Sequence, residues 1–429
     1  METKSTYTST AGISNTNKRI AVVSMNIQLG NETCGSTRFR YISELLCKYG
    51  YKVDLITTNF QHAEKKHRQI NSPCYSNTPY SLVFLEEPGY KTNFSAQYFI
   101  SHKVLLNKCK AYFNKHIHDY DLIYIEMPSN DIAYFCTKLA YKENIPTIVD
   151  INTLWPEELL PEFNIQPLRN VLFHPCTRHA KKTYQLISGA VGTSQEYARR
   201  PMLYRNQEYP YITVYIGNDL ALFDAGVARF KSSINKNKDE FWVSYAGSLA
   251  KGYDLPTLIE AGALLKSTMP NLRIRIMGDG PNEQELKDLA QSLKAPVDFL
   301  GRIPYEEMAA ELACSDAVIN SLVAHAPQSI IAKIGDYLAS QSAMINTGSN
   351  PELRCKVNKE KFGINVISED PKALAKAISD LASDKKSRLA MSKKAREIAE
   401  SQFNQAHSYK RIVEFIHRIL VKHDASKTD

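Results

Sequence analysis

The chain has 429 residues, 43% of them hydrophobic and 23% charged, with a formal net charge of +8. These values describe a folded chain long enough for two cores, not a disordered one, and no apolar run approaches the ~20 residues of a membrane-spanning helix. The basic residues are dispersed without a helix-turn-helix, zinc-finger or RNA-binding signature, which argues against nucleic acid and leaves phosphorylated ligands or an anionic membrane face.

Residues 1–17, rich in Ser and Thr, read as a disordered tail without the apolar core of a secretory signal. An apolar strand follows, "RIAVVSM", then the loop "GNETCGST" and a helix through "STRFRYISELLCKYG". That loop nearly spells a Walker phosphate loop, but Ser36 stands where the Lys is required, which argues against triphosphatase chemistry. The strand "YKVDLITT" comes next. The stretch "SHKVLLNKCKAYFNKHIH", residues 101–118, interleaves lysines with apolar residues. It reads as a surface helix packed on a sheet, and its basic face suits an anionic membrane. "DYD" at 119–121 precedes the strand "LIYIE" and reads as a turn, not a metal site. Then come a helix through "DIAYFCTKLAYKEN" and the strands "IPTIVDIN", "ISGAVGTS" and "YPYITVYIG". Strand–helix alternation of this kind predicts parallel βαβ units, here an N-terminal Rossmann-like domain over 18–225.

The polar run "FKSSINKNKDE" predicts a linker over 226–240. The alternation then restarts: strand "FWVSYAG", helix "DLPTLIEAGALLKS", strand "LRIRIMG", helix "NEQELKDLAQSL", strand "VDFLG", helix "YEEMAAELACS" and strand "AVINSL". A helix opening at Pro327 and the strands "SAMIN" and "FGINVI" complete a second Rossmann-like domain over 241–402. Residues 403–429 read as a C-terminal helix returning to the first domain. The fold class is therefore α/β, two doubly wound domains facing across a cleft, with ligands expected outside the carboxyl ends of the strands. Eight cysteines without a C-x-x-C pair suit a reducing cytoplasm, and no histidine pair has metal-ligand spacing. "GDGPNE" lacks the third glycine of a dinucleotide fingerprint, so no cofactor is expected.

Four loops of the second half carry the chemistry. "YAGSLAKGYDL" leads from a strand through Gly247 and Ser248 to Lys251; glycine admits backbone amides to a phosphate and the lysine adds a mobile charge. "MGDGP" adds Gly278 and Gly280, and "FLGRIP" adds Arg302 and Ile303, where a nucleotide base is expected on backbone groups. In "PQSIIAKIGDYLAS", Ser329, Lys333 and Asp336 fall at i, i+4 and i+7 and share one helical face. Asp336 matches the vicinal diol of a ribose, and Ser329 with the helix amides matches phosphate oxygens. The competing reading of this row is a solvated face.

The run "YAGSLAKGYDLPTLIEAGALL … LRIRIMGDGP … VDFLGRIPYEEMAAELACSDAVI … SIIAKIGDYLASQSAMINTG" resembles the retaining glycosyltransferases of family 4, which have the GT-B fold. In the first domain, Gly35 and "IPTIVDINTLWPEE" resemble a branch acting in capsule and lipopolysaccharide synthesis. The resemblance implies a nucleotide-diphosphate sugar donor, retention, no metal, and a lipid-linked glycan acceptor at the cytoplasmic membrane face. Gln328 and Asp336 stand where the family has a Glu pair seven residues apart, so Asp336 is expected on ribose and Gln328 on a donor-sugar hydroxyl. Ser248 stands where the family has Arg, which shifts diphosphate work to Lys251. Asn152 and Thr153 replace a His-Asp pair; Asp150 and Asn152 are expected to face the reacting carbon, with a turn cap as the other reading of Asp150. Gly35 is expected to let the first domain close on the donor. Two other readings remain: a degenerate GT-B protein that binds a glycan or partner, and a sugar-nucleotide epimerase.

Overall fold

A computed structural model describes residues 17–30, 32, 37–154, 166–205, 207–326 and 330–428. Gly35, Gln328, Ser329, the "WPEE" segment and residues 1–16 lie outside the described residues. The chain forms two compact units, residues 1–214 with 409–429, and residues 215–408.

In the first unit the strands are β1 (Arg19–Val23), β2 (Lys52–Thr58), a hairpin of β3 (Phe60–Gln61) and β4 (Lys66–His67), then β5 (Ser81–Leu85), β6 (Leu122–Met127), β7 (Thr147–Ile151), β8 (Gly189–Gly192) and β9 (Tyr211–Thr213). Seven of them form a parallel sheet in the order β5-β2-β1-β6-β7-β8-β9. β1, β6 and β7 are buried almost throughout because helices cover both faces. Helices α1 (Arg38–Lys48), α2 (Ala96–His116), α3 (Asn130–Lys142), α4 (Gln166–Leu186) and α5 (Gln195–Arg199) follow successive strands. Leu105, Cys109 and Phe113 of α2 share the core with Cys136 of α3 and with Ile123, Ile125 and Val149 of the sheet. Lys103, Lys108 and Lys115 of α2 stay exposed, so the helix both packs on the sheet and presents a basic face.

In the second unit β10 (Phe241–Ala246), β11 (Leu272–Met277), β12 (Val297–Gly301), β13 (Ala317–Asn320), β14 (Ala343–Asn346) and β15 (Gly363–Asn365) form a parallel sheet in the order β12-β11-β10-β13-β14-β15. Its helices are α6 (Leu220–Phe230), α7 (Leu255–Leu265), α8 (Glu283–Leu293), α9 (Tyr305–Ala313), α10 (Lys333–Ala339), α11 (Pro351–Glu360), α12 (Pro371–Ser383), α13 (Lys385–Ile398) and α14 (Gln405–Ser408). The last helix, α15 (Lys410–Thr428), belongs to the first unit. There its Tyr409 neighbour, Ile412 and Ile416 share a core with Phe39, Ile42 and Leu46 of α1, and Phe415 lies where a Cβ on Gly189 would come within 2.8 Å.

Two boundaries differ from the sequence-based expectation. The expected linker begins inside α6, which is capped by Asp219 and packs against α9 at Gly226, where an added Cβ would come within 2.7 Å of the Glu306 backbone. The polar composition after residue 230 masked this close helix pair. The helix expected from Pro327 is assigned from Lys333 and has seven residues. Its Tyr337 hydroxyl accepts from the Ala246 amide (3.0 Å) and donates to the Ala246 carbonyl (3.1 Å), which fastens α10 beneath the end of β10.

Loops at the carboxyl edge of the second sheet are knitted by backbone bonds. The Gly247 amide donates to Met277 (2.9 Å), Gly278 to Gly301 (2.7 Å), Leu249 to Asp279 (2.8 Å) and Asn282 to Leu249 (3.0 Å). A Cβ on Gly278, at φ +133°, would lie 1.9 Å from the Gly247 carbonyl oxygen, whereas one on Gly301, at φ +66°, meets nothing within 4 Å. Gly278→Ala is therefore expected to displace backbone and destabilise the second unit by more than about 2 kcal/mol, against about 1–2 kcal/mol for Gly301→Ala from its left-handed φ alone. Denaturant midpoints of the two variants check the order.

In the first unit, Asp150 of β7 is fully buried, with one carboxylate oxygen 2.9 Å from Arg38 Nε, itself 1% exposed. The Tyr124 hydroxyl donates to the same oxygen, and the Arg38 guanidinium lies 4.8 Å above the Tyr409 ring. Burial alone would lower the Arg38 pKa; the Asp150 charge and hydrogen bond together with Tyr409 and Tyr124 outweigh it and hold the guanidinium above its ordinary value. Asp150→Ala strands a buried cation and is expected to destabilise by about 3–5 kcal/mol, read as a lower midpoint at unchanged m-value.

Candidate functional site

Both sheets change winding direction once. In the second unit β10 runs on to β11 and β12 on one side and the chain returns to β13 on the other, so the crevice outside β10 and β13 is its switch point. The Gly247 loop leaves β10 there. It is tied to the segment after β13 by the Ser321 hydroxyl on the Asp254 carbonyl (2.6 Å) and the Val323 amide on the Gly252 carbonyl (3.3 Å). Ser248 and Lys251 are exposed on this loop, and Arg302 is exposed on the loop after β12; Ile303 beside it is half-buried and packs on the second core. Gly278 and Gly280 lie in the β11 loop, the latter where a Cβ would come within 2.5 Å of the Leu249 carbonyl oxygen. The structure thus gathers Gly247, Ser248, Lys251, Gly278 and Gly280 on hydrogen-bonded neighbouring loops.

α10 brings two charges to the same edge. Lys333 Nζ donates to the Tyr245 hydroxyl (3.0 Å), and a Cβ on Gly247 would lie 2.3 Å from it. Desolvation pushes the Lys333 pKa down to about 7. Asp336, one turn on, accepts from the Tyr305 hydroxyl (2.6 Å) and the Asn218 side-chain amide (3.0 Å), both on the same oxygen. Desolvation raises its pKa to about 6, and those two bonds hold it from rising further. Its second oxygen makes no bond among the described residues. Tyr305 and Asn218 were invisible to motif reasoning because they come from α9 and from the segment before α6. A tyrosine opening a helix just after "GRIP" is the one signal that was present.

In the first unit the switch point lies at β1 and β6, where the Ser24 hydroxyl (2.7 Å) and the Met25 amide (3.2 Å) donate to one oxygen of Glu126. Glu126 pairs in register with Asp150, and burial raises its pKa. One oxygen of Asp150 is held by Arg38 and Tyr124, its other oxygen is buried and unpartnered among the described residues, and it caps no turn among them. Asn152 sits just past β7 with both side-chain amide atoms buried and unpartnered among the described residues. Among the described residues no three His, Cys, Asp or Glu side chains gather to hold a metal.

Residues 227–398 match the family described as Glycosyl transferases group 1. Compared by sequence with curated proteins, the chain matches none. Among solved structures it is similar to a sucrose-phosphate synthase from Thermosynechococcus elongatus, with a TM-score of 0.70 and 19% identity over 95% of this chain and 100% of that one. HepE of Anabaena, solved in complex with UDP, gives a TM-score of 0.66 at 15% identity over 94% and 100% of the two chains. WaaG, a glycosyltransferase involved in lipopolysaccharide biosynthesis, gives 0.63 at 11% over 92% and 99%. The chain has the GT-B fold, two Rossmann-like units, and the stretch similar to the group 1 glycosyl transferases lies within its second unit.

Proposed function

We propose that the protein is a glycosyltransferase that moves a sugar, with retention and without a metal, from a nucleotide-diphosphate sugar to a growing lipid-linked oligosaccharide in cell-surface polysaccharide synthesis. The observation that carries the donor half is Asp336: a desolvated carboxylate with one oxygen held by Tyr305 and Asn218 and the other without a bond among the described residues, at the switch-point edge beside knitted glycine loops. A carboxylate oxygen so placed suits a ribose diol, while Lys251 and Lys333 beside the Gly247 loop suit a diphosphate. HepE, similar in fold, has been solved with UDP and with UDP-glucose, which supports a nucleotide-sugar ligand here.

In this reading the donor's own phosphate oxygen takes the acceptor proton as the glycosidic bond breaks, and the protein's share is electrostatic stabilisation of the departing diphosphate. Gln328 would bond a donor-sugar hydroxyl, and Gly35 would let the first unit engage the donor. Arg302 and Ile303 would flank the base. In the first unit Asp150 and Asn152 would face the reacting carbon: Asp150 is held through one oxygen by Arg38 and Tyr124 while its Oδ1 is unpartnered among the described residues, as are both side-chain amide atoms of Asn152. The acceptor and membrane halves rest on α2: exposed Phe99 and Ile100 in its first turns precede its exposed lysines, an arrangement suited to the anionic cytoplasmic membrane surface. Among the described residues no helix is long and apolar enough to cross a membrane.

Thermal denaturation against UDP-, GDP-, ADP- and CMP-sugars in EDTA tests the donor half: one sugar nucleotide at ~100 Kd is expected to stabilise by about 2.7 kcal/mol. No shift from any of them would sink the reading in favour of a glycan- or partner-binding GT-B protein. Affinity for the nucleotide that binds is expected to rise as pH climbs through about 6, where Asp336 gains its charge. Asp336→Asn should weaken binding by about 1.5–3 kcal/mol at neutral pH and flatten that rise. Sedimentation with anionic vesicles tests the membrane half: wild type should pellet at low salt, and Lys103→Glu with Lys108→Glu should not.

A further inference from the structure

Lys333 is placed unlike the other lysines of the second unit. Its only hydrogen bond among the described residues is to the Tyr245 hydroxyl, and that hydroxyl donates onward to the Ser248 carbonyl (2.8 Å). Its nitrogen lies 4.3 Å from the Tyr245 ring centroid and 4.0 Å from that of Tyr253. The two rings come from opposite ends of one loop, β10 supplying Tyr245 and the turn before α7 supplying Tyr253. No carboxylate of the described residues offsets the amine; desolvation is the sole cause of its lowered pKa. Gly247 is the one residue type that leaves room for it, since a Cβ there would overlap the nitrogen.

An ammonium with a single oxygen acceptor and two aromatic faces keeps part of its charge stabilisation from the rings but loses most of its hydration. An anion arriving at the Gly247 loop reverses that balance, because a nearby opposite charge favours the protonated form. We propose that Tyr245 and Tyr253 are positioning residues that hold Lys333 against Gly247, so that a diphosphate entering this loop captures the amine together with one proton from solvent. The inference rests on the nucleotide-sugar reading above and adds to it a named cation and a proton balance: free amine, diphosphate and one proton give the ammonium–diphosphate complex.

The groups facing Lys333 are phenols from β10 and the loop, with Lys251 exposed on that loop and Asp336 on its own helix, turned to Tyr305 and Asn218. His325 is exposed on the segment tied to Gly252, and His325→Ala serves as the control for it.

Isothermal titration of the full chain with UDP, GDP and ADP tests the proposal, in buffers of different ionisation enthalpy. The diphosphate that binds should take up close to one proton at about pH 8, and its Kd should weaken roughly eightfold between about pH 7.5 and about pH 8.5. Lys333→Arg, which cannot shed its charge, should bind with neither the proton uptake nor the slope, and Lys333→Met should bind weakly at every pH. His325→Ala should behave as wild type. A wild-type Kd that changes less than about twofold over that range, or a Lys333→Met protein with wild-type affinity and slope, overturns the inference and leaves the nucleotide reading standing. Failure of all three diphosphates to bind overturns both.

Discussion

A parallel sheet covered by helices on both faces leaves its edges as the places where polar chemistry can meet solvent, and both units obey this constraint. β6, β7, β10, β13 and β14 are buried along their whole length, so most of their side chains are committed to packing. In the second unit Ser248, Lys251, Arg302, Lys333 and Asp336 therefore sit on a loop after a strand or on a helix that such a loop feeds. The reversal of winding at β10 and β13 then selects one stretch of that edge in the second unit. Close backbone approach follows from the same crowding: Gly247, Gly278 and Leu249 meet at distances that leave no space for a side chain at the glycines.

Three carboxylates illustrate how position decides role. Asp150 and Asp336 are the same residue type, and both are surrounded by protein. Asp150 has a guanidinium at 2.9 Å and a phenol on the same oxygen, so its charge is cancelled in place and the pair ties α1, β6 and β7 together. Asp336 has only neutral donors, a phenol and an amide, and so retains an uncompensated charge at the sheet edge. Glu126 is intermediate: buried like Asp150, but held by a hydroxyl and backbone amides of the chain leaving β1. Sequence spacing cannot separate these cases, because the deciding partners Arg38, Tyr305 and Ser24 come from distant elements.

Much of the fold was legible nonetheless. The apolar runs "RIAVVSM", "LIYIE", "FWVSYAG" and "LRIRIMG" are long and bounded by glycine or charge, and each forms the strand it predicts. β5 was missed: its "SLVFL" is short, lies in a Pro- and Ser-rich stretch and pairs only at the sheet margin. α4 was missed because Pro175 interrupts its helical pattern. At the site, the glycine loops and Asp336 were readable from local motif. Tyr245 and Tyr253 were not: one reads as an ordinary strand residue and the other as a turn residue, and only folding brings their rings to Lys333.

The arrangement of Lys333 and Asp336 has a further consequence. Lysine and aspartate three residues apart on a helix are neighbours that commonly pair. Here each is turned to different partners, Lys333 to the tyrosines of β10 and the following loop, Asp336 to α9 and the segment before α6. Mutual pairing would have satisfied both charges and left neither for a ligand. Separate neutral partners instead leave each group short of compensation, which is why burial drives them in opposite directions, the acid up to about 6 and the amine down to about 7. The two values bracket a narrow pH interval in which the acid is charged and the amine still can be. In the nucleotide-sugar reading proposed above, a ligand that offered a diol to one and a diphosphate to the other would offset both deficits at once, and the protein's cost of holding the two charges apart would return as binding energy.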